Sequence, residues 1–231
     1  MLRALSVILV AALAVPARSQ QALPVLLGSI ENGVYSSPTS AFKVPVLVLP
    51  ELGGKIRDND NMVMFQDAIS THISVGAFKQ DATQRWEMET RGTKDYLVYF
   101  FGRFGLADLK RNWPDSKVES ASFAATYLDG SLFCYTLIPG GSMFAAQVLA
   151  LDPEAKPPVA KRGNLLFVKN GFVFVVSTEL AEKVTEGSRY NKTQDEEDQI
   201  LHKRLMDIAA KIRFTAPAAA PASAPAPTPA K

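Results

Sequence analysis

The chain has 231 residues, of which 47% are hydrophobic and 21% are charged, with one cysteine and two histidines. This composition is typical of a globular domain and excludes a collagenous, a disulfide-rich or a fully disordered chain. Apart from Arg3 and Arg18, which lie in a predicted leader, basic and acidic residues are equal at 23 each. No excess of positive charge is left to bind a nucleic acid.

Residues 1–19 show the three-part pattern of a secretory signal peptide. Arg3 precedes an apolar run from Ala4 to Val15, and Pro16 and small residues follow. As a helix, this run would be about 18 Å long, against a hydrocarbon core of roughly 30 Å. A cleaved leader is therefore favoured over a membrane anchor. We expect an exported protein, periplasmic or extracellular, with no membrane span after cleavage.

Residues 215–231 contain eight alanines and five prolines. Proline lacks an amide donor and fixes φ, so we expect no strand ladder here but an extended, disordered and solvated tail. A docking peptide for a partner is the alternative. Such tails are common in exported bacterial proteins, which suggests a bacterial source. Residues 20–214 are then expected to form a single domain.

The first predicted strand covers residues 42–49, where apolar side chains alternate with other residues. Pro45 cannot donate to a ladder, so this strand is expected at an edge or a bulge. A polar loop is predicted for residues 53–61. Two short strands, 62–67 and 70–78, are expected to follow as a hairpin.

Residues 83–112 form the predicted helical region. Leu97, Phe101 and Phe104 recur at spacings of four and three, which indicates a face directed at the core. Gly102 and Gly105 each weaken a helix by up to about 1 kcal/mol relative to alanine, so we expect close packing or a break there.

The chain from Val118 onward is predicted to be mainly strand. Asp129-Gly130 and Asn170-Gly171 supply the positive φ angles that two-residue hairpin turns require. Residues 144–151 are expected to form a further strand between these two hairpins.

The strands at 132–138 and 172–176 are apolar on both faces. A sheet with one wet face would alternate apolar and polar residues, so both faces must be covered. The sequence therefore predicts an α+β fold. Its antiparallel β-sheet meander is expected to be covered by helices on both faces, which gives an α/β/α sandwich.

A final amphipathic helix is predicted after Thr193, which forms a capping box with Glu196. Its apolar stripe is expected to pack on the sheet, with a partner-binding face as the alternative. The stripe contains Leu201, Leu205, Ile208 and Ile212.

This order of elements resembles the PsbP-like fold superfamily. The resemblance covers most of residues 28–214 and rests on an opening motif and on a last helix that ends in Ile212–Phe214. The opening motif consists of Tyr35, Ser37, Pro38, Phe42 and Val44. The resemblance implies a non-enzymatic binding or assembly protein and assigns no functional residue. The chain departs from it at the aromatic segment 100–113.

No catalytic or metal motif is found. His72 and His202 have no partner motif, and Cys134 lies between two aromatic residues as an expected core residue. The oxygens of residues 58–61 resemble the start of a calcium loop, but Val63 stands where that loop requires glycine. We expect no metal and no cofactor.

The expected function is therefore non-catalytic binding or assembly with an unknown protein or small ligand as partner. Two pairs of a planar cation near a tryptophan are the candidate contacts, because such residues are enriched at interfaces. These are Arg85, Trp86, Arg111 and Trp113.

Two alternative functions remain open. An exported hydrolase would need a pair of carboxylates that converge in one cleft, drawn from Asp58, Asp60, Glu87 and Glu89. A small apolar-ligand carrier would need an aromatic pocket near residues 100–113.

Overall fold

A computed structural model describes residues 26–215. The predicted signal peptide and the predicted tail beyond Thr215 lie outside these residues. The predicted α+β class is confirmed, since two antiparallel sheets are combined with helices.

The large sheet has seven strands and is antiparallel throughout. The strands are β4 (Lys55–Asp58), β5 (Met62–Gln66), β6 (His72–Lys79), β7 (Lys117–Ala124), β8 (Ser131–Ile138), β9 (Ala160–Lys169) and β10 (Phe172–Glu179). Their order across the sheet is β4-β5-β6-β10-β9-β8-β7, so β4 and β7 are the edge strands.

A smaller sheet joins the two ends of the described chain. It contains β1 (Ser29–Glu31), β2 (Val34–Ser36), β3 (Phe42–Pro45) and β11 (Arg213–Phe214), in the order β1-β2-β3-β11. Strand β3 is not an edge strand, but β11 pairs only with Phe42 and Lys43. Pro45 therefore pairs on one side only, with Val34 of β2, and its missing donor leaves no gap in the ladder.

The helices lie mainly in two parts of the chain. They are α1 (Ala82–Arg91), α2 (Thr93–Phe100), α3 (Ala107–Asn112), α4 (Ala145–Leu151), α5 (Glu182–Thr185) and α6 (Gln194–Ala209). The predicted helical region is thus confirmed, with a π-helical segment at Phe101–Leu106 between α2 and α3. Leu97 and Phe101 are buried as predicted, but Phe104 is half exposed. The wider turn of a π-helix shifts the face that the following residues present.

The large sheet is buried on both faces, which confirms the central expectation from the sequence. Tyr135 and Phe174 on one face and Cys134 and Val173 on the other are all at most 5% exposed. Helix α2 covers the face that carries Cys134. The opposite face is covered by α6, as predicted, and also by the small sheet, which the sequence did not suggest as a cover.

Helix α6 begins and packs as its sequence predicts. The hydroxyl of Thr193 accepts a hydrogen bond from the amide of Glu196, whose carboxylate accepts from the amide of Thr193. The apolar stripe from Leu201 to Ile212 is buried. A side-chain carbon at Gly163 of β9 would lie 3.1 Å from Leu201, so glycine permits this close approach of helix and sheet.

Three local predictions are wrong. Residues 144–151 form helix α4 instead of a strand, because alanine and leucine dominate the segment and favour a helix. The polar loop predicted for 53–61 contains the edge strand β4, whose polar side chains suit a strand with solvent on one side. The Asp129-Gly130 dipeptide does lie between paired strands, but residues 125–130 form a longer connection.

The second predicted hairpin is confirmed. Asn170 and Gly171 have φ angles of 51° and 77°, and Lys169 lies opposite Phe172. This two-residue turn joins β9 to β10 in the middle of the large sheet.

Candidate functional site

An open groove of about 390 Å³ lies between edge strand β7 and helix α6. It exists because α6 packs over β9 and β10 and leaves part of β8 between itself and β7. Side chains of β7, β8 and α6 line it. They include Ser120, Ser122, Tyr135, Asp198, Gln199 and His202.

Polar side chains from β8 and α6 form the floor of the groove. The hydroxyl of Tyr135 and Nδ1 of His202 lie 3.2 Å apart. The His202 ring packs against the Phe133 ring at a tilt of 34°, with 4.1 Å between ring centres. Burial, together with the nearby charge of Asp198, raises the pKa of Tyr135 well above its ordinary value. The phenol therefore keeps its proton at neutral pH.

The β7 wall of the groove is a sheet edge. Strand β7 pairs with β8 on one side, and no other strand of residues 26–215 pairs with its outer side. Residues 120–124 pair regularly with β8 and have no charged side chain, while a bulge between Val118 and Ser120 interrupts the strand near its start. Charges and bulges are the usual protection of an edge strand, so residues 120–124 are its unprotected part.

A cluster of charged side chains closes one side of the groove. The ammonium group of Lys161, which is fully buried, lies 2.6 Å from Glu119 Oε2, 3.0 Å from Glu197 Oε2 and 2.6 Å from Asp198 Oδ1. Lys183 makes a second ion pair with Glu197. Burial would lower the pKa of Lys161, but the three carboxylates outweigh it and raise the pKa above its usual value.

These contacts fix the wall residues in place. Ser120 donates a hydrogen bond to Asp198, which also bonds Lys161, so β7, β9 and α6 meet at one carboxylate. The cluster therefore holds β7 and α6 at a set distance and keeps the groove open.

A second buried polar cluster lies on the opposite face of the sheet. Arg162 Nη2 is 3.3 Å from Glu179, whose carboxylate also accepts hydrogen bonds from the Ser142 hydroxyl and the Met143 amide. His72 is 4% exposed, and burial together with the charge of Arg162 lowers its pKa to about 3. This cluster anchors the segment before α4.

A further groove of about 330 Å³ lies beside α6 near the start of β6. Its charged residues are largely paired, since Arg204 bonds Glu182 and Asp207 bonds Lys203. Its strand residues belong to β6 and β10, which lie inside the large sheet, so this groove offers no sheet edge.

The four predicted contact residues do not form one site. Trp86 is 60% exposed on α1, and the guanidinium of Arg85 is held by the carbonyl of Gln80 at 2.7 Å. Arg111 forms an exposed ion pair with Asp108, and Trp113 packs against Gly141. Each pair is close in sequence, but the structure gives its two members different surroundings.

Two of the four carboxylates considered for a hydrolase, Asp58 and Glu87, lie on opposite faces of the large sheet. Asp58 accepts hydrogen bonds from two backbone amides and from the hydroxyl of Tyr35, whose ring packs in the core under the small sheet. Glu87 lies on α1, which packs against the other face through Met88, and pairs with Arg91. Neither groove described above is lined by residues 100–113, where a carrier pocket was considered.

Two broader findings concern the described residues. No group of three or more His, Cys, Asp or Glu side chains in residues 26–215 is arranged to hold a metal ion. In the same range, no helix has the length and apolar character needed to cross a bilayer.

The sequence does not identify the groove. His202 has no partner motif, and Tyr135 belongs to a strand whose pattern predicts burial on both faces. One signal was present, namely the uncharged Ser-Ala-Ser run at 120–122 in an otherwise β-prone segment. This run indicates an unprotected strand edge only if β7 lies at the edge of the sheet. The order of strands in the sheet determines that position, and the sequence does not give this order.

No family model matches the chain, and no curated protein sequence does. Among solved structures, it is similar to cyanobacterial PsbP (CyanoP) from Synechocystis sp. PCC 6803, with a TM-score of 0.47 and 12% identity over 82% of this chain and 99% of that one. It is also similar to the Ran-binding protein Mog1p of Saccharomyces cerevisiae, with a TM-score of 0.42 and 10% identity over 81% of this chain and 97% of that one. At 10–12% identity and TM-scores below 0.5, these likenesses assign neither a family nor a function to the chain.

Proposed function

We propose that the protein is an exported, non-catalytic binding or assembly protein that holds an extended segment of a partner protein along β7. The observation that carries this proposal is the unpaired, uncharged edge at residues 120–124 beside an open groove. An extended peptide adds to such an edge through main-chain hydrogen bonds, and side-chain pockets next to the edge supply specificity.

The dimensions of the site suit a short peptide. Five residues of β7 present an edge of about 17 Å at ~3.4 Å per residue. Alternate side chains of an added strand would point toward the groove, where Tyr135, His202 and Gln199 offer hydrogen bonds. The charged cluster around Lys161 lies at the side of this path and keeps the walls fixed.

Two of the acidic side chains considered for catalysis, Asp58 and Glu87, have structural partners. Asp58 is fully engaged in holding the first strand pair, and Glu87 is neutralised by Arg91. Export is part of the proposal because of the leader pattern in residues 1–19.

The experiment is a selection of random peptides displayed on phage, panned against the full chain. We expect enriched peptides to slow amide hydrogen exchange in β7. Ser122→Lys, which places a charge at the groove wall, should weaken their binding by about tenfold or more. Val98→Lys on the exposed side of α2 is the matched control and should change binding less than about twofold.

Two results would overturn the proposal. One is that no peptide is enriched over background. The other is that enriched peptides bind Ser122→Lys as well as they bind the unsubstituted chain.

A further inference from the structure

We propose that the partner segment held along β7 has two different faces. Apolar side chains of the segment lie beside Ala121 and Phe123, and between them a basic side chain enters the groove toward Asp198. This inference rests on the proposed function and names the chemistry of the segment that the site accepts. Its support is the hydrogen-bond pattern of the large sheet and the charge of the groove.

The direction of each backbone group follows from the alternation of hydrogen bonds across the sheet. In an antiparallel strand, successive residues direct their N–H and C=O groups to opposite neighbours. The amide of Leu180 donates to the carbonyl of Lys161 at 2.9 Å, so Lys161 is directed toward β10 and Arg162 toward β8. Thr136, which lies opposite Arg162, is therefore directed toward β9, and Tyr135 is directed toward β7.

The same alternation continues into β7. Tyr135 lies opposite Ser120, so Ser120 and Ser122 direct their backbone groups to β8. Ala121 and Phe123 direct their N–H and C=O groups to the outer side, where no other described strand pairs with them. These two residues are therefore the hydrogen-bonding positions for an added strand.

The side chains of β7 alternate between the two faces of the sheet. Ala121 and Phe123 belong to the face that α2 covers, because their partners on β8 pack in the cluster under that helix. These partners are Cys134 and Leu132. Ser122 lies on the other face and lines the groove. Because neighbouring residues on adjacent strands share a face, an added strand would direct the residue beside Ser122 into the groove and the residues before and after it to the α2 face.

The α2 face of this edge is apolar. Phe123 is half-buried and packs against the cluster that contains Leu132, and Ala121 is exposed. A side-chain carbon at Gly130 would lie 3.2 Å from the Phe123 ring and 3.3 Å from Thr93, so the ring lies near the start of α2. Apolar side chains of an added strand would cover the exposed part of this ring, and the removal of apolar surface from water would stabilise the complex.

The groove face is polar and has one accessible charge. Among the described residues that line the groove, Asp198 is the one charged residue, and its side chain is 18% exposed. Its Oδ1 contacts the fully buried ammonium group of Lys161, and its Oδ2 accepts a hydrogen bond from Ser120. A carboxylate can accept about four hydrogen bonds, so acceptor capacity remains toward the groove. The groove therefore favours a lysine or arginine side chain over an acidic one.

The first experiment compares two peptide libraries displayed on phage and panned against the full chain. Both libraries place apolar residues on either side of a central position, which is lysine or arginine in one library and aspartate or glutamate in the other. We expect enrichment from the basic library to exceed that from the acidic one by about tenfold or more, because like charges are disfavoured at an interface. The enriched peptides should slow amide exchange in residues 120–124.

Two substitutions of an exposed residue in the groove wall form a matched pair. Gln199→Lys should weaken the binding of the enriched basic peptides by about threefold, and Gln199→Glu should strengthen it by a similar factor, as is usual for exposed charge pairs. Equal affinity of the two variants would contradict the charge argument.

The second experiment tests which residue of the segment enters the groove. Cys134 is 3% exposed and burial raises the pKa of its thiol to about 12, so an introduced cysteine is the reactive one. The central residue of an enriched peptide is replaced by cysteine and activated as a 2-thiopyridyl disulfide. Thiol exchange with Ser122→Cys should be at least about tenfold faster than with Ala121→Cys, because neighbours on one face lie about 5 Å apart. Each rate is divided by that of the same variant with a 2-thiopyridyl disulfide that carries no peptide.

The outcomes separate this inference from the proposed function. Equal thiol exchange with the two cysteine variants would overturn the inference, and so would equal or greater enrichment of the acidic library. If the enriched peptides nevertheless protect residues 120–124 and lose affinity for Ser122→Lys, the proposed function stands without this inference. If neither library yields a peptide that protects these residues, the proposed function fails and the inference fails with it.

Discussion

Replacing Lys161 with methionine tests the charged cluster that fixes the groove. The substitution keeps side-chain length but removes the cation that contacts Glu119, Glu197 and Asp198. Removing one partner of a buried ion pair costs about 3–5 kcal/mol, because the remaining charge stays buried without compensation. We expect the free energy of unfolding to fall by about 3 kcal/mol, the low end of this range, because Lys183 still pairs with Glu197.

The effect should depend on pH in a defined direction. Burial would raise the pKa of Glu197, but the bonds from Lys183 and Lys161 outweigh it, so the pKa lies below its ordinary value of 4.5. The stabilisation from this carboxylate is therefore present above pH 4.5 and is lost as the pH falls through the folded-state pKa. The loss of unfolding free energy caused by Lys161→Met should be largest at neutral pH and should become smaller below about pH 4.5.

Urea denaturation followed by circular dichroism at pH 7 and pH 4 measures both effects. Lys203→Met is the matched control, because Lys203 pairs with Asp207 on the exposed side of α6. An exposed pair of this kind contributes about 0.5 kcal/mol or less. The reasoning is refuted if Lys161→Met and Lys203→Met differ by less than about 1 kcal/mol at pH 7, or if the deficit grows on acidification.

Two further substitutions test the helical region and the second polar cluster. Gly102→Ala should raise the free energy of unfolding by up to about 1 kcal/mol, whereas Gly105→Ala should lower it, because its new carbon would lie 2.8 Å from the Phe101 ring. Denaturation curves that move in the same direction for both would contradict this. His72 should show no titration of its ring protons in NMR spectra between pH 8 and 5, because burial and Arg162 lower its pKa to about 3. The contribution of neutral His72 to the free energy of unfolding should be complete above pH 6.5 and should decline as the pH falls toward 3, by at most ~1.4 kcal/mol per pH unit. The variant His72→Gln should lack this pH dependence. The same slope of stability against pH in the variant and in the unsubstituted chain would contradict this prediction.

The sequence predicted those parts of the fold in which neighbouring residues decide the structure. The Asn170-Gly171 turn and the Thr193 cap depend on residues within four positions, and both are confirmed. The two-sided burial of β8 and β10 followed from their apolar side chains alone. The sequence does not predict helix α4, because a short apolar segment has no distinct period and its length also suits a strand.

The candidate site depends on contacts between residues distant in sequence, which explains why it could not be predicted. Ser120 and Asp198 are 78 positions apart, and they meet only because α6 crosses the sheet near β7. The carboxylates proposed for catalysis were plausible by type, but the structure places Asp58 and Glu87 on opposite faces of the sheet.

Lys161 and Arg162 are neighbours on β9, and a strand directs successive side chains to opposite faces. One charge bonds carboxylates on α6 and β7, and the other bonds Glu179, which holds the segment before α4. These two adjacent residues therefore connect β9 to the layers on opposite faces of the sheet. Displacement of β9 would leave buried charged side chains unpaired on both faces of the sheet. We therefore expect the structure on both faces to unfold in a single cooperative transition.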